Sequence, residues 1–273
     1  MFPRMIKTLL ASLIAAGTLL TLGPARAQPP AETVVQAEIL PGWETERGTQ
    51  MAGLRLTLAP GWKTYWRAPG DAGIPPRFDW SASSNMKSVA TYWPRPMVFD
   101  KNGMRTIAYE NEVVLPLELT PARPGAPIIL RGRMELGVCH DICMPMALEL
   151  RAELPATPNP EPIRAALAAR PMDAAQAGVE RVTCAVEPLA DGLRLTAEIA
   201  LAPMGGEEVA VVELRDPTIW VSEPQVTRKG NRLIAVADLV PESAAPFALD
   251  RSSVRITLLA GQKAVDIRGC EGR

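Results

Sequence analysis

The chain has 273 residues, with 29 Lys and Arg against 30 Asp and Glu, and 47% of its residues are hydrophobic. That length suits one large domain or two of ordinary size, and a near-neutral balance without a basic cluster argues against a nucleic-acid partner. No paired catalytic carboxylates, serine triad or phosphate loop occurs, so hydrolase and NTPase chemistry find no support.

Residues 1–27, MFPRMIKTLLASLIAAGTLLTLGPARA, contain no acidic residue. Arg4 and Lys7 precede an apolar run over 9–22, and Ala25-Arg26-Ala27 supplies a small-x-small cleavage pattern. The run is shorter than the roughly 20 apolar residues of a bilayer span. A signal peptide over 1–27 is therefore expected, with export to a bacterial periplasm and no stable membrane insertion after cleavage. Loss of three basic residues moves the net charge from −1 to about −4. The periplasm is oxidising, so its cysteines are expected to be paired, metal-bound or redox-active.

From residue 28 the chain reads mostly as strands. GLRLTLAP (53–60), VVLPLELT (113–120) and PIILRGRMELGV (127–138) alternate apolar and polar residues, and Pro and Gly punctuate the gaps. Short strands at near-regular spacing predict an antiparallel sandwich over 28–154. The proline-rich LPATPNPEP (154–162) reads as a stiff linker, and one short Ala-rich helix follows, ended by Pro171. Linker and helix together span 155–178. Strands then resume in VTCAVEPL, LRLTAEIAL, EVAVVELR, RLIAVADLV and VRITLLAG, which predict a second β-sandwich over 179–273. The expected fold class is all-β: two β-sandwich domains joined by a Pro-rich linker with one short helix. Five of six tryptophans and all three tyrosines precede the linker. They either fill a better-packed first core or line a site there.

Four cysteines allow three pairings. Cys184 and Cys270 flank the second β region, and a bridge between them would close a loop of about 85 residues, contributing roughly 4 kcal/mol by the chain-entropy argument. Nothing around either suggests reactivity, so a structural disulfide is expected. Cys139 and Cys143 lie in ELGVCHDICMPM with the only histidine, His140, between them. Along an extended strand they would stand roughly 13 Å apart, so pairing requires HDI to form a turn that brings the Cα atoms within about 7 Å.

Three readings of that loop stand open. A staple over so short a loop stabilises little. A Cu(I) site could draw on Cys139, His140, Cys143, Met144 and Met146, whereas zinc lacks a second histidine. A tight, strained and exposed bridge suits thiol-disulfide exchange. His140, if protonated, would promote a thiolate, and Asp141 would oppose it.

GWKTYWRAPGDAGIPP (61–76), FDKNGMRTIAYENEVVLPLEL (99–119) and LGVCHDICMP (136–145) occur in one order. In that order they resemble the periplasmic N-terminal domain of DsbD-type thiol:disulfide interchange proteins. The spacing is closer to the ScsB-like branch, which is associated with copper tolerance. The likeness covers 36–154. It implies that the first sandwich is immunoglobulin-like and passes electrons through Cys139 and Cys143, without a cofactor, between a membrane donor and periplasmic thioredoxin-like proteins. It also implies that Phe99 is an aromatic cap and that Tyr65 and Trp66 line the site. The family's multi-span membrane domain and its thioredoxin domain have no counterpart in the sequence. A separate membrane donor of DsbD/CcdA type is therefore expected.

Overall fold

The computed structural model describes residues 34–70, 73–101, 103–243 and 245–272, with the side chain of Lys101 left aside. The expected signal peptide at 1–27 lies outside these residues.

Among the described residues, ten strands precede a helix at Pro160–Ala168: β1 (Val35–Glu44), β2 (Gln50–Leu58), β3 (Lys63–Tyr65), β4 (Arg77–Asp79), β5 (Met86–Thr91), β6 (Met97–Lys101), β7 (Met104–Glu110), β8 (Glu112–Pro121), β9 (Ile128–Cys139) and β10 (Cys143–Leu154). They form two facing sheets. One has the order β1-β2-β8-β5, the other β10-β9-β3-β7-β6 with β4 also paired to β9. The two-residue period decides which side chains meet between them. In β9, Ile128, Leu130, Met134 and Leu136 turn inward, while Arg131, Arg133 and Glu135 face water. Leu54, Leu56, Leu115 and Leu117 meet them from the opposite sheet.

The predicted linker is part of this body. Helix α1 spans Pro160–Ala168, so it begins inside the proline-rich run instead of after it. Proline is tolerated in a first helical turn because the N–H it lacks has no partner there anyway. The helix buries Ile163 and Ala166 against Leu40, Met51 and Val114 on the outer face of the β1-β2-β8-β5 sheet. Gly53 makes this approach possible: a Cβ there would stand 2.9 Å from Ile163 Cγ1. Ile163→Ala should cost about 2–3 kcal/mol, the lower part of the range for a buried isoleucine, because so small a cluster can partly collapse. Chemical denaturation of the variant would measure it.

The second body contains β11 (Met172–Asp173), β12 (Arg181–Pro188), β13 (Leu193–Ala200), β14 (Val209–Glu213), β15 (Ile219–Val221), β16 (Gln225–Lys229), β17 (Arg232–Pro241), β18 (Arg255–Ala260), β19 (Lys263–Arg268) and β20 (Glu271–Gly272). Its sheets run β11-β19-β18-β14 and β15-β17-β13-β12-β20, with β16 also on β17. Between them pack Leu195, Ala197, Ile199, Leu233, Ile256 and Leu258. Cys184 in β12 is bonded to Cys270, with Cα atoms 5.7 Å apart, and Cys184 is fully buried. The chain is thus mostly β, with four sheets in two sandwich-like bodies.

The bodies share a core. Ala210, Val212 and Leu258 face the second interior, whereas Val209, Val211, Leu259 and Ala264 join the first. The β11-β19-β18-β14 sheet is therefore covered on both faces. Polar groups complete the seam. Arg67 reaches Glu213 with both Nε (3.0 Å) and Nη2 (2.9 Å), donates to Thr257 Oγ1 at 2.9 Å and stacks 3.7 Å from the Trp66 ring.

Candidate functional site

The strict alternation of β9 stops at Gly137, where three consecutive residues, Gly137, Val138 and Cys139, are all buried. The outer face of the sheet is covered there as well. A Cβ on Gly137 would lie 2.7 Å from Tyr65 Cε2 and 2.8 Å from Ile74 Cβ, so only glycine lets these side chains close over the strand.

β9 and β10 are joined by His140, Asp141 and Ile142, and Cys143 stands directly opposite Cys139 as the last pair of the ladder. The two are disulfide-bonded with Cα atoms 4.1 Å apart. A hairpin thus brings together residues that a continuous strand would hold far apart. On its other side Cys139 is registered with Lys63 of β3.

Tyr65, Ala108 and Cys139 form a small buried cluster against which Ile74 and Phe99 pack. The Tyr65 hydroxyl lies 2.8 Å from Cys139 Sγ and 3.0 Å from Cys143 Sγ. Bridged sulfurs carry no proton, so the hydroxyl donates. Burial pushes the Tyr65 phenol above its ordinary value, which keeps that proton in place at neutral pH. Phe99 reaches the cluster from β6, the outermost strand of its sheet, and Lys63 Nζ sits 4.4 Å from its ring centroid. The two cysteines differ in exposure: Cys139 is 9% exposed, whereas Cys143 is an exposed residue. Ile142 in the turn (73% exposed) and Met97 in β6 (48%) add exposed apolar surface.

Trp66 lies elsewhere. It is fully buried in the main core, because neighbours along an extended chain point to opposite faces and Tyr65 takes the outer one. His140 Nδ1 is 2.9 Å from an Asp141 carboxylate oxygen, and its ring is tilted against Trp62 at 5.8 Å. Neither His140 nor Asp141 hydrogen-bonds a sulfur among the described residues. Met144 is buried in the core beneath β10 and Met146 packs against that core, so both sit on the face opposite Cys143. Among the described residues no group of three or more His, Cys, Asp or Glu side chains is placed to hold a metal ion. Lys63, Ile74 and Trp62 were not predicted as site residues. The period of two in WKTYW, which sets Lys63 and Tyr65 on one face, is the signal that would have found Lys63.

Fold and site together define a β-sandwich protein that presents a cysteine bridge beneath a tyrosine hydroxyl and a phenylalanine. Residues 33–155 match the family described as thiol:disulfide interchange protein DsbD, N-terminal, and this part of the chain belongs to that family. Family membership implies a role in thiol-disulfide exchange with thioredoxin-like partners. Among solved structures, the N-terminal periplasmic domain of ScsB from Proteus mirabilis is similar in fold. The match has a TM-score of 0.65 at 22% identity and covers 90% of this chain and 97% of that one. The likeness therefore runs through the second body. No curated protein sequence matches the chain. No helix among the described residues is long and apolar enough to cross a membrane.

Proposed function

We propose that the protein is a periplasmic thiol-disulfide exchange protein that passes two electrons at a time through Cys139 and Cys143. The observation that carries this reading is the unequal exposure of the two bridged cysteines, Cys139 buried against Tyr65 and Phe99 and Cys143 exposed. A donor thiolate attacks the open Cys143 Sγ. The S–S bond breaks, and its electron pair leaves on Cys139 Sγ as a thiolate that accepts the Tyr65 hydrogen bond. The donor's second thiolate then attacks its own sulfur in the mixed disulfide and releases Cys143. The donor ends as a disulfide, the pair has gained two electrons, and the donor's two protons pass to the cysteines or to water.

Toward an acceptor the steps reverse: Cys143 attacks and Cys139 resolves. A hydroxyl held at both sulfurs serves either direction because it stabilises whichever sulfur carries charge. Phe99 shields Cys139 between encounters. Thioredoxin-like periplasmic proteins fit as acceptors, and a separate membrane protein of DsbD/CcdA type fits as donor.

The test is a titration of the mature protein in graded dithiol buffers, quenched by alkylation and read peptide by peptide in a mass spectrometer. Cys139 and Cys143 should titrate reversibly as a two-electron couple and exchange with a thioredoxin-like protein. Cys184–Cys270, buried at Cys184, should stay oxidised throughout. A Cys139–Cys143 bridge that resists every such donor would rule the reading out.

A further inference from the structure

We propose that the second body sets how readily the Phe99 cap opens, by gripping the β6–β7 hairpin from behind through Arg105. This inference rests on the exchange reading above and assigns the second body a part in it. In the hairpin, Phe99 is registered with Thr106 and Asp100 with Arg105. Successive residues of a strand point to opposite faces. Phe99 therefore packs over Cys139 and Tyr65 on one face, while Arg105 leaves on the other, toward the second body.

There Arg105 Nη1 pairs with Glu223 at 2.5 Å and Nη2 with Glu207 at 3.4 Å. The Arg105 side chain is only 18% exposed, so its pair with the 30%-exposed Glu223 is far better shielded from salt than an ordinary surface pair. A second hold lies just ahead of β6. Arg95 donates to the Gly261 carbonyl at 2.9 Å and to Gln262 Oε1 at 2.5 Å, in the turn between β18 and β19. Ile107, on the same strand as Arg105, is buried in the core that Val209 and Val211 share, but packing is incomplete around Arg105. Behind the hairpin lies a cavity of about 340 Å³ lined by Arg105, Ile107, Val211, Trp220 and Glu223. The Arg105 side of the hairpin thus has room to shift, and the ion pairs hold that end across the cavity. β6 is the outermost strand of its sheet, and β7 pairs with β3 only over Ala108–Glu110, so the end of the hairpin that carries Phe99 and Arg105 has no further ladder to break when it lifts.

Arg105, Glu223 and Glu207 are positioning residues in this scheme, since none touches a sulfur. The test follows reduction of Cys139–Cys143 by dithiothreitol, in alkylation-quenched time courses, for the parent, Arg105→Ala, Phe99→Ala and the double variant. Arg105→Ala should speed reduction about fivefold, the size expected when a part-shielded ion pair no longer opposes opening. Phe99→Ala should speed it at least as much, and the double variant no more than Phe99→Ala alone. Glu223→Gln should reproduce the effect if Arg105→Ala folds poorly. Cys184–Cys270 in the same samples is the internal control and should keep its parent rate.

An unchanged rate in both Arg105→Ala and Glu223→Gln overturns the grip. So does a full fivefold gain on top of Phe99→Ala, or a matching acceleration of Cys184–Cys270, which would mean general loosening. If Phe99→Ala itself leaves the rate unchanged, the cap fails and the grip with it, whereas the exchange reading is judged separately by the reversible titration.

Discussion

Cys139→Ser is expected to accumulate a mixed disulfide with a thioredoxin-like partner through Cys143, whereas Cys143→Ser is expected to accumulate almost none. Both variants should lose turnover entirely, because each half of the exchange needs two sulfurs. The asymmetry comes from access. An attacking sulfur must reach the sulfur it attacks, and Cys139 is buried in a cluster with Tyr65 and Ala108 against which Phe99 packs. Cys143 begins β10, the edge strand of its sheet, and is exposed. Without Cys139 nothing resolves the intermediate, and it persists. Non-reducing gels of variant and partner under a mild oxidant would show the adduct, and peptide mapping would place it on Cys143. Equal trapping by the two variants would remove the assigned order of attack. Trapping by Cys143→Ser alone would reverse it.

Tyr65 sharpens that asymmetry. Its hydroxyl lies within hydrogen-bond distance of both sulfurs. When Cys143 is attacked, the negative charge appears on Cys139, which is buried among Tyr65, Ala108, Ile74 and Phe99, with Lys63 on the neighbouring strand. A buried thiolate without a donor would be strongly disfavoured. The phenol supplies that donor without carrying charge itself, and burial, which raises its own ionisation, keeps it protonated.

Periodicity made most of the strands legible. The predicted 53–60, 113–120 and 127–138 fall within or overlap β2, β8 and β9, and the five later runs correspond to β12, β13, β14, β17 and β18. It could also have separated Tyr65 from Trp66, because residues one apart on an extended chain cannot line the same face. The resemblance grouped them as aromatics beside the cysteines, yet only Tyr65 is there. EVAVVELR held a further signal: four consecutive apolar residues indicate a strand covered on both faces, as Val209 to Val212 are.

Three features had no local signature. Helix α1 itself was legible, but its start inside the proline run and its docking were not, because proline clusters serve both as linkers and as first turns, and which applies depends on the face Ile163 finds. The grip on Arg105 joins residues 118 apart in β7 and ahead of β16, and no sequence period relates them. The approach of Arg67 to Glu213, 146 positions away, is likewise a product of the assembled fold.

Arg67→Ala is the substitution expected to cost most stability, about 3 kcal/mol, the lower end of the range for removing one partner of a buried ion pair. The end of the range follows from exposure. The Arg67 side chain is 10% exposed and Glu213 21%, so Glu213 can recover some hydration once deserted. For a chain of this length the loss corresponds to a fall in Tm of roughly 6–12 °C. Alanine also removes the cation stacked on Trp66 and the bond to Thr257, which is fully buried and would lose its donor. Arg67→Lys keeps the charge but not the paired donors, so it should fall between parent and alanine.

Because the first core continues into β14, β18 and β19, the two bodies should melt together in the parent. In Arg67→Ala, calorimetry should show that transition broaden as the seam weakens. Acid acts on the same seam. At Asp266, burial works to raise the carboxyl, but hydrogen bonds from Arg255 (2.6 and 2.9 Å) and the charges of Arg255, Arg67 and Arg268 outweigh it, leaving the group below its usual range. A carboxylate depressed on folding contributes stability above its unfolded value, near pH 4, and loses it as pH falls through the folded value. The parent should therefore lose stability below about pH 4. Arg67→Ala should lose less over the same interval, since one of the cations that depress Asp266 is already gone. Parallel acid losses in the two proteins would show that Arg67 and Asp266 are not coupled across the seam.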